Sequence, residues 1–237
     1  MFKKDDIYQH TTDVVDFDFD KKVAQVFPDM VHRSIPGYAT LLTTMQAVFR
    51  AEFANRSNVL IYDLGCSVGG VTLALANILP VDSRFIGVDI SADMLAQYEK
   101  AVRLANLSDR VDIVQQSIVD LPIAPCDAIS INFTLQFLDS NERQSVLDNC
   151  YHSLNDDGFL FIAEKTRINK DITAWHEQFK RNNGYSELEI AQKRLAIENV
   201  MKIDEEDTII TRCEKAGFSQ VTQVFHALGF KAWVVRK

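Results

Sequence analysis

The stretch Val59-Leu60-Ile61-Tyr62-Asp63-Leu64-Gly65-Cys66-Ser67-Val68-Gly69-Gly70 decides how this chain is read. A short apolar run ends on an acidic residue, turns through glycines and enters a segment of helical character over residues 68–78. That order spells strand, tight turn and helix. Glycine at such a turn lets the backbone bend sharply and come close to a ligand. The spacing is G-x-x-x-G-G, so the strict G-x-G-x-x-G dinucleotide fingerprint is not met. The alternative reading of the segment is a plain strand–helix turn with a solvated carboxylate.

The next strand, Phe85-Ile86-Gly87-Val88, ends at Asp89, where a carboxylate can accept both hydroxyls of a ribose. Ser91 is placed to N-cap the following helix, which carries Met94, Leu95, Tyr98, Val102 and Leu104. Strands are expected over 111–115 and 127–133, a helix over 140–154, and a strand at Phe159-Leu160-Phe161-Ile162. Strands alternating with helices imply a parallel sheet covered on both faces. Two apolar segments at 221–227 and 230–235, joined by Leu228-Gly229, read as a closing antiparallel hairpin at a sheet edge. The remaining segments depart from this alternation. Residues 1–30 are polar and acidic and read as an arm, and a helix follows Pro36-Gly37-Tyr38. Residues 166–210 read as a charged helical insertion, with Ser186 and Glu189 forming a capping box.

The chain has 237 residues, with 25 Lys and Arg against 33 Asp and Glu, a formal charge of −8. That length fits one domain with a lid and buries roughly 70–75% of the unfolded surface. The acidic balance disfavours a broad grip on nucleic acid, which needs clustered cations to neutralise phosphates. Cys66, Cys126, Cys150 and Cys213 are far apart and read as reduced thiols, and no His lies at metal-ligand spacing, so no metal is expected. Met1-Phe2-Lys3-Lys4-Asp5-Asp6 does not start a signal peptide, and no stretch reaches the roughly 18 apolar residues of a membrane span. A cytoplasmic protein is expected.

The glycine turn with Asp63 and Asp89 resembles the first motif and acidic loop of class I S-adenosylmethionine-dependent methyltransferases. The resemblance implies a Rossmann-like α/β fold, with a mostly parallel seven-stranded sheet ending in an antiparallel hairpin. The resemblance runs from about residue 59 to the C-terminus, and the chain is expected to form one S-adenosylmethionine-binding domain over 1–237, with an arm and helices over 1–55 and a helical lid or dimer insertion over 166–210. It implies that Gly65, Cys66 and Ser67 pack against the methionine end of S-adenosylmethionine. Asp63 orients the ammonium, Asp89 with Ile90 holds the ribose, and Asn132 faces the meeting point with a second substrate. After the third strand the family usually carries an acidic residue for the adenine amino group. Here Ser117-Ile118 stands in that place and leaves the reading to Ser117 or to backbone groups.

Further strings resemble a narrower family, the carboxy-S-adenosyl-L-methionine synthases, over about residues 20–237: Val26-Phe27-Pro28-Asp29-Met30, Arg33-Ser34-Ile35-Pro36-Gly37-Tyr38, Asn132-Phe133-Thr134-Leu135-Gln136-Phe137-Leu138, Arg181-Asn182-Asn183-Gly184-Tyr185-Ser186-Glu187-Leu188-Glu189-Ile190, and Gln192-Lys193-Arg194 followed by Glu198-Asn199-Val200-Met201. That resemblance implies that S-adenosylmethionine is a substrate and prephenate its partner. Prephenate aromatises to phenylpyruvate, and its released carboxyl carbon ends on the sulfonium methyl. A second enzyme then uses the product on the wobble uridine of transfer RNA, so no tight binding of tRNA by this chain is implied. The sulfonium acidifies its methyl hydrogens, and excluding water would protect an ylide-like carbon beside carbon dioxide. The same resemblance gives Arg194 to the new carboxylate, which a guanidinium can grip at two points. It brings that arginine from a neighbouring subunit, hence a homodimer, and sets Tyr38 against the methionine end.

Other residues read as ordinary packing or surface. Cys66 reads as small packing, His226 as an edge residue, Trp175 and Phe179 as packing of a lid helix, and Lys180 and Arg181 as solvated. By residue type alone the Lys193-Arg194 pair belongs to a solvated helix face. Two alternatives share the fold: a small-molecule methyltransferase, and a ligand-binding subunit whose 166–210 helices face a partner.

Overall fold

The computed structural model describes residues 3–11 and 16–237. Residues 1, 2 and 12–15 of the expected arm lie outside the described residues. From residue 60 the apolar runs and amphipathic helices alternate, and the chain folds as that alternation requires. The strands are β1 (Leu60–Leu64), β2 (Arg84–Asp89), β3 (Val111–Gln115), β4 (Cys126–Asn132), β5 (Leu154–Lys165), β6 (Gln220–Ala227) and β7 (Phe230–Arg236). They form one sheet in the order β3-β2-β1-β4-β5-β7-β6. The first five run parallel, and β7 pairs antiparallel with both β5 and β6. The hairpin therefore lies at a sheet edge with β7 inserted beside β5. Strand order reverses between β1 and β4, the switch point where open α/β sheets bind ligands at their carboxyl ends.

The helices of the alternating region are α3 (Gly70–Ala76), α4 (Ala92–Leu104), α5 (Ser140–Ser153) and α8 (Glu206–Ala216). Preceding them are α1 (Lys21–Ser34) and α2 (Tyr38–Phe53), and α6 (Lys170–Asn182) and α7 (Glu187–Glu198) lie between β5 and α8. Strand β5 shows why two faces are covered. Its Phe159, Phe161 and Ala163 join the core under α2, α3 and α4, while Leu160 and Ile162 join the core under α5 and α8. Side chains alternate across a strand, so one apolar run feeds both layers. On the first face Phe53 stacks on Phe159 at 5.5 Å and Phe49 meets the same ring edge-on at 4.9 Å. Such aromatic pairs contribute about 0.5–1.5 kcal/mol beyond their buried area.

Two expectations are corrected in extent. The first 30 residues are not wholly an arm, because α1 begins at Lys21, capped by the Asp20 side chain accepting from the Val23 amide at 2.9 Å. Pro28 inside that helix masks it in the sequence, yet Val23, Ala24, Val26 and Met30 are buried along one side. The helix ends at Ser34 because Ile35 precedes Pro36 and is pushed to extended backbone. The strand expected over 159–162 is longer, as β5 begins at Leu154 with an irregularity opposite Cys126/Ala128. The turn helix is shorter than 68–78.

The helices after β5 divide by where they pack. α8 lies against α5 and buries Ile209 and Cys213 in the second core. α6 and α7 instead stand over the carboxyl ends of the strands. The described part of the N-terminal arm wraps α7: Gln192 Nε2 donates to the carbonyls of Tyr8 and His10 at 2.9 and 3.0 Å, and the Phe17 amide donates to the Ala196 carbonyl at 2.9 Å.

Candidate active site

The carboxyl ends of β1, β2, β4 and β5, roofed by α1, α6 and α7, enclose a cavity of about 1230 Å³. Every residue given a binding or catalytic role from the sequence lines it: Tyr38, Asp63, Gly65, Cys66, Ser67, Asp89, Ile90, Ser117, Ile118, Asn132 and Arg194. The turn after β1 is shaped by contacts as well as by conformation. Gly65 has φ +75°, and a Cβ there would meet Thr134 Oγ1 at 2.2 Å. Gly69 has φ +83°, and a Cβ there would strike the Tyr98 ring at 2.0 Å. Glycine is thus demanded by the left-handed backbone and by the side chains pressed against the turn.

Asp63 is 3% exposed and accepts from Thr72 Oγ1 at 2.8 Å. Burial pushes its carboxyl up to about 7, with the Asp89 charge adding and the Thr72 bonds opposing. Tyr38 shares the pocket; burial, then the Asp63 charge, push its phenol up to about 12. Asp89 accepts from the Ser67 and Ser91 amides, each at 2.9 Å, which fixes its carboxylate beside the turn. Burial raises its pKa, and those amides pull it down. Ser91 also caps α4, its hydroxyl accepting from the Met94 amide at 3.2 Å. Cys66 is buried, and burial holds its thiol well above the usual range, which fits packing and not nucleophilic use.

Several features suit an S-adenosyl group. Ile90 is 71% exposed yet faces the cavity beside Ile118, an apolar slot for a flat ring. Asn132 gives its Nδ2 to Ser130 Oγ at 2.6 Å, while its buried Oδ1 has no partner. An orphaned buried acceptor beside a buried carboxylate suits a cationic ligand. The Ser117 hydroxyl accepts from the Val119 amide at 3.2 Å and so shapes the loop after β3.

The loop after β4 is pinned by Glu164, a residue the sequence reading passed over. Its Oε1 accepts from the Thr134 and Leu135 amides at 3.0 and 2.9 Å, and its Oε2 from Gln136 at 3.3 Å, at the start of a short 3-10 turn, Leu135–Phe137. Burial drives the carboxyl up to about 8 against those donors and Arg143. The adjacent Lys165 points to the opposite face of β5 and lines the cavity.

The far wall is basic. Lys165, His176, Lys180, Lys193 and Arg194 all line it. Lys180 is not a solvated lysine: it is half-buried, and burial with the charges of Lys193 and Lys165 lowers its pKa to about 7. Lys193 is buried as well, 3.3 Å from Asp5 and 3.0 Å from Ser34 Oγ, so the helix face it occupies is covered by the arm. Burial lowers Lys193 to about 8 even against the Asp5 charge. Arg181 is partly exposed and ion-paired with Glu177 and Glu187. Trp175, expected to pack the lid helix, is 60% exposed. The adjacent His176 takes the inward place; it donates from Nε2 to the Ser34 carbonyl at 2.8 Å and meets Phe230 edge-on. His226 stays on the edge strand, exposed. Arg194 is 59% exposed at the cavity mouth and bonds Glu177 Oε1 at 2.8 Å within its own chain. The inward residues were missed because charge reads as surface. The one available signal was the position of Lys165 at a strand's carboxyl end.

Among the described residues no cluster of His, Cys, Asp and Glu is built to hold a metal, and no helix is long and apolar enough to cross a membrane. A family described as "Methyltransferase domain" matches residues 61–158. Over its whole length the chain is 42% identical to the carboxy-S-adenosyl-L-methionine synthase of Dichelobacter nodosus, covering 99% of that protein. It is 40% identical to the synthase of the same name from Pseudoalteromonas translucida, with both chains fully covered. Among solved structures it is similar to a putative S-adenosyl-L-methionine-dependent methyltransferase from Methanococcus maripaludis, with TM-score 0.64 and 20% identity over 96% of this chain and 97% of that one. Magnesium protoporphyrin IX methyltransferase from Synechocystis with bound SAH gives TM-score 0.63 and 15% identity over 88% and 87%. At these identities the solved structures speak for the class I methyltransferase fold alone.

Proposed function

The chain belongs to the carboxy-S-adenosyl-L-methionine synthase family, and on that premise we propose that its cavity joins S-adenosylmethionine to a carboxyl group taken from prephenate. The observation that carries this reading is the polarity of the cavity. An acidic end at Asp63 and Asp89 suits a cationic sulfonium substrate with an ammonium and a ribose. A basic end at Lys165, Lys180 and Arg194 suits an anionic partner. A cavity of about 1230 Å³ exceeds the roughly 300–1,000 Å³ of a pocket for one drug-sized ligand, so both substrates have room.

In this reading Asp63 receives the ammonium, with Tyr38 and the Gly65-Cys66-Ser67 turn along the methionine portion. Asp89 takes the ribose hydroxyls, and Ile90, Ser117 and Ile118 surround the adenine. The Asn132 carbonyl oxygen, unpartnered in the protein, accepts from the ammonium or from the polarised methyl hydrogens. Arg194 grips the carboxylate formed on that methyl. The protein's contribution is placement and exclusion of water, since the bond changes occur between the substrates. Prephenate loses its ring carboxyl as carbon dioxide and its hydroxyl as hydroxide. The methyl carbon bonds the carbon dioxide, and its lost proton combines with the hydroxide as water.

We place the product upstream of wobble-uridine carboxymethylation of tRNA by another enzyme, and take the working form to be a homodimer in the cytoplasm. Arg194 already lies at the mouth of its own chain's cavity, held by Glu177, so a partner's Arg194 would reach a site whose own arginine is engaged elsewhere. Incubating the protein with S-adenosylmethionine and prephenate and weighing the nucleoside product tests the reading. A product heavier by one carboxyl group supports it. Methylation of an acceptor in the absence of prephenate would replace it with the methyltransferase alternative.

A further inference from the structure

Lys165 and Lys180 are cations without counter-charges. Among the described residues neither has a carboxylate within ion-pairing distance; the acid nearest in sequence to Lys180, Glu177, is engaged by Arg194 at 2.8 Å and by Arg181 at 3.6 Å. The contact recorded for the Lys165 ammonium is the Phe230 ring, 5.8 Å away. Lys165 stands two residues beyond Ala163, the partner of Asn132 in the β4–β5 ladder, so it projects from the neighbouring strand beyond the end of β4. Lys180 lies one helical turn after His176 on the cavity side of α6.

Burial lowers the pKa of both lysines, and each is further opposed or left unrelieved by its cationic surroundings. Burial first, then the charges of Lys193 and Lys165, push Lys180 down to about 7, with Arg194 adding and Glu177 resisting. His176, which shares the Phe230 ring with Lys165, is held neutral, at about 3, by burial and then by Lys180. Partly desolvated like charges are costly, and an anion placed among them removes the cost.

We propose that Lys165 and Lys180 form the subsite for the carboxylate that the second substrate keeps, the 2-oxo-acid carboxylate that prephenate shares with phenylpyruvate. This rests on the reading of prephenate as that substrate. The chemistry assigns the lysines to the retained group and not to the departing one. A cation paired with the departing carboxylate would stabilise the ground state and raise the barrier to losing carbon dioxide. A cation paired with the retained carboxylate orients the ring at no such cost. Arg194 is then left for the carboxylate of the product.

The test uses the full chain with Lys165→Met, Lys180→Met, the double variant and Lys180→Arg. S-adenosylmethionine affinity by calorimetry reports whether each variant keeps a folded site. Each Met variant is expected to raise KM for prephenate about tenfold or more, the loss of one charge-assisted bond. The inhibition constant of phenylpyruvate should rise in parallel, because it retains only the carboxylate in question. S-adenosylmethionine affinity should stay within about twofold, and Lys180→Arg should recover most of the loss. An unchanged KM and phenylpyruvate inhibition in the double variant overturns the subsite while leaving the synthase reading intact. Absence of carboxylated product from the wild-type protein overturns that reading and the subsite together.

Discussion

Asp63 gives the site its pH signature. Its carboxyl is raised to about 7, so in the free protein it is about half protonated near neutrality. A bound ammonium favours the charged form, and binding near pH 6.5 should release protons. Calorimetry in buffers of differing ionisation enthalpy is expected to show that release. Affinity should climb as pH rises to about 7 and then level, and Asp63→Asn should flatten the dependence. The sign for stability is opposite: a raised folded pKa gives stability that is full below the unfolded carboxyl's pKa of about 3.9 and lost as pH rises through about 7. Asp89 differs, since the Ser67 and Ser91 amides already hold it. Asp89→Ala should weaken S-adenosylmethionine binding through lost charge-assisted bonds, each about 1.5–3 kcal/mol before compensation. Unchanged affinity would remove Asp89 from the ribose.

Elements carry the site through their ends. The 3-10 turn after β4 starts on three amides that all donate to Glu164, so that one carboxyl sets the path of Phe133 and Thr134 along the cavity. Glu164→Ala strands those donors in a buried place and should cost about 3 kcal/mol or more of stability, read as a lower urea midpoint, together with most of the activity. Glu164→Gln keeps an acceptor and should lose less of both. Helix α7 is closed at its start by a reciprocal box: the Ser186 amide donates to Glu189 Oε2 at 2.7 Å and the Glu189 amide to Ser186 Oγ at 3.3 Å. Ser186→Ala should cost about 1 kcal/mol, visible as faster amide exchange in the first turn of α7.

At the scale of the whole molecule the open question is which chain supplies Arg194. In the proposed role its partner carboxylate arises only on reaction, so Arg194→Ala should leave S-adenosylmethionine affinity near normal and cut carboxylated product, with Arg194→Lys recovering part. If the arginine acts across a homodimer, mixing Arg194→Ala with Asp89→Ala subunits rebuilds one intact site in each mixed dimer. About a quarter of wild-type activity should then return under random two-fold pairing. No recovery, with exchange of subunits verified by mass, would mean that each chain uses its own Arg194.

The sequence by itself determined the sheet and the acidic end of the cavity. Strand and helix periods are local, and residues 59–70 place Asp63, Gly65 and Ser67 on one turn because chain neighbours cannot separate. The next strand carries Asp89 to the same edge, since parallel strands end together. The capping of α4 and α7 was legible for the same reason, being settled within four residues. Only the tertiary structure decided the basic end. Lys165, Lys180 and Lys193 are charged residues that composition assigns to solvent, and each is turned inward by packing from a distant segment. Asp5 covers Lys193 from 188 positions away, while Phe230 on the closing hairpin flanks both Lys165 and His176. Helix α1 was likewise hidden by Pro28, a local signal for a break that the burial of Val26 and Met30 outweighs. Charge burial and helix persistence are set by what covers a residue, and that cover comes from parts of the chain that no local pattern connects.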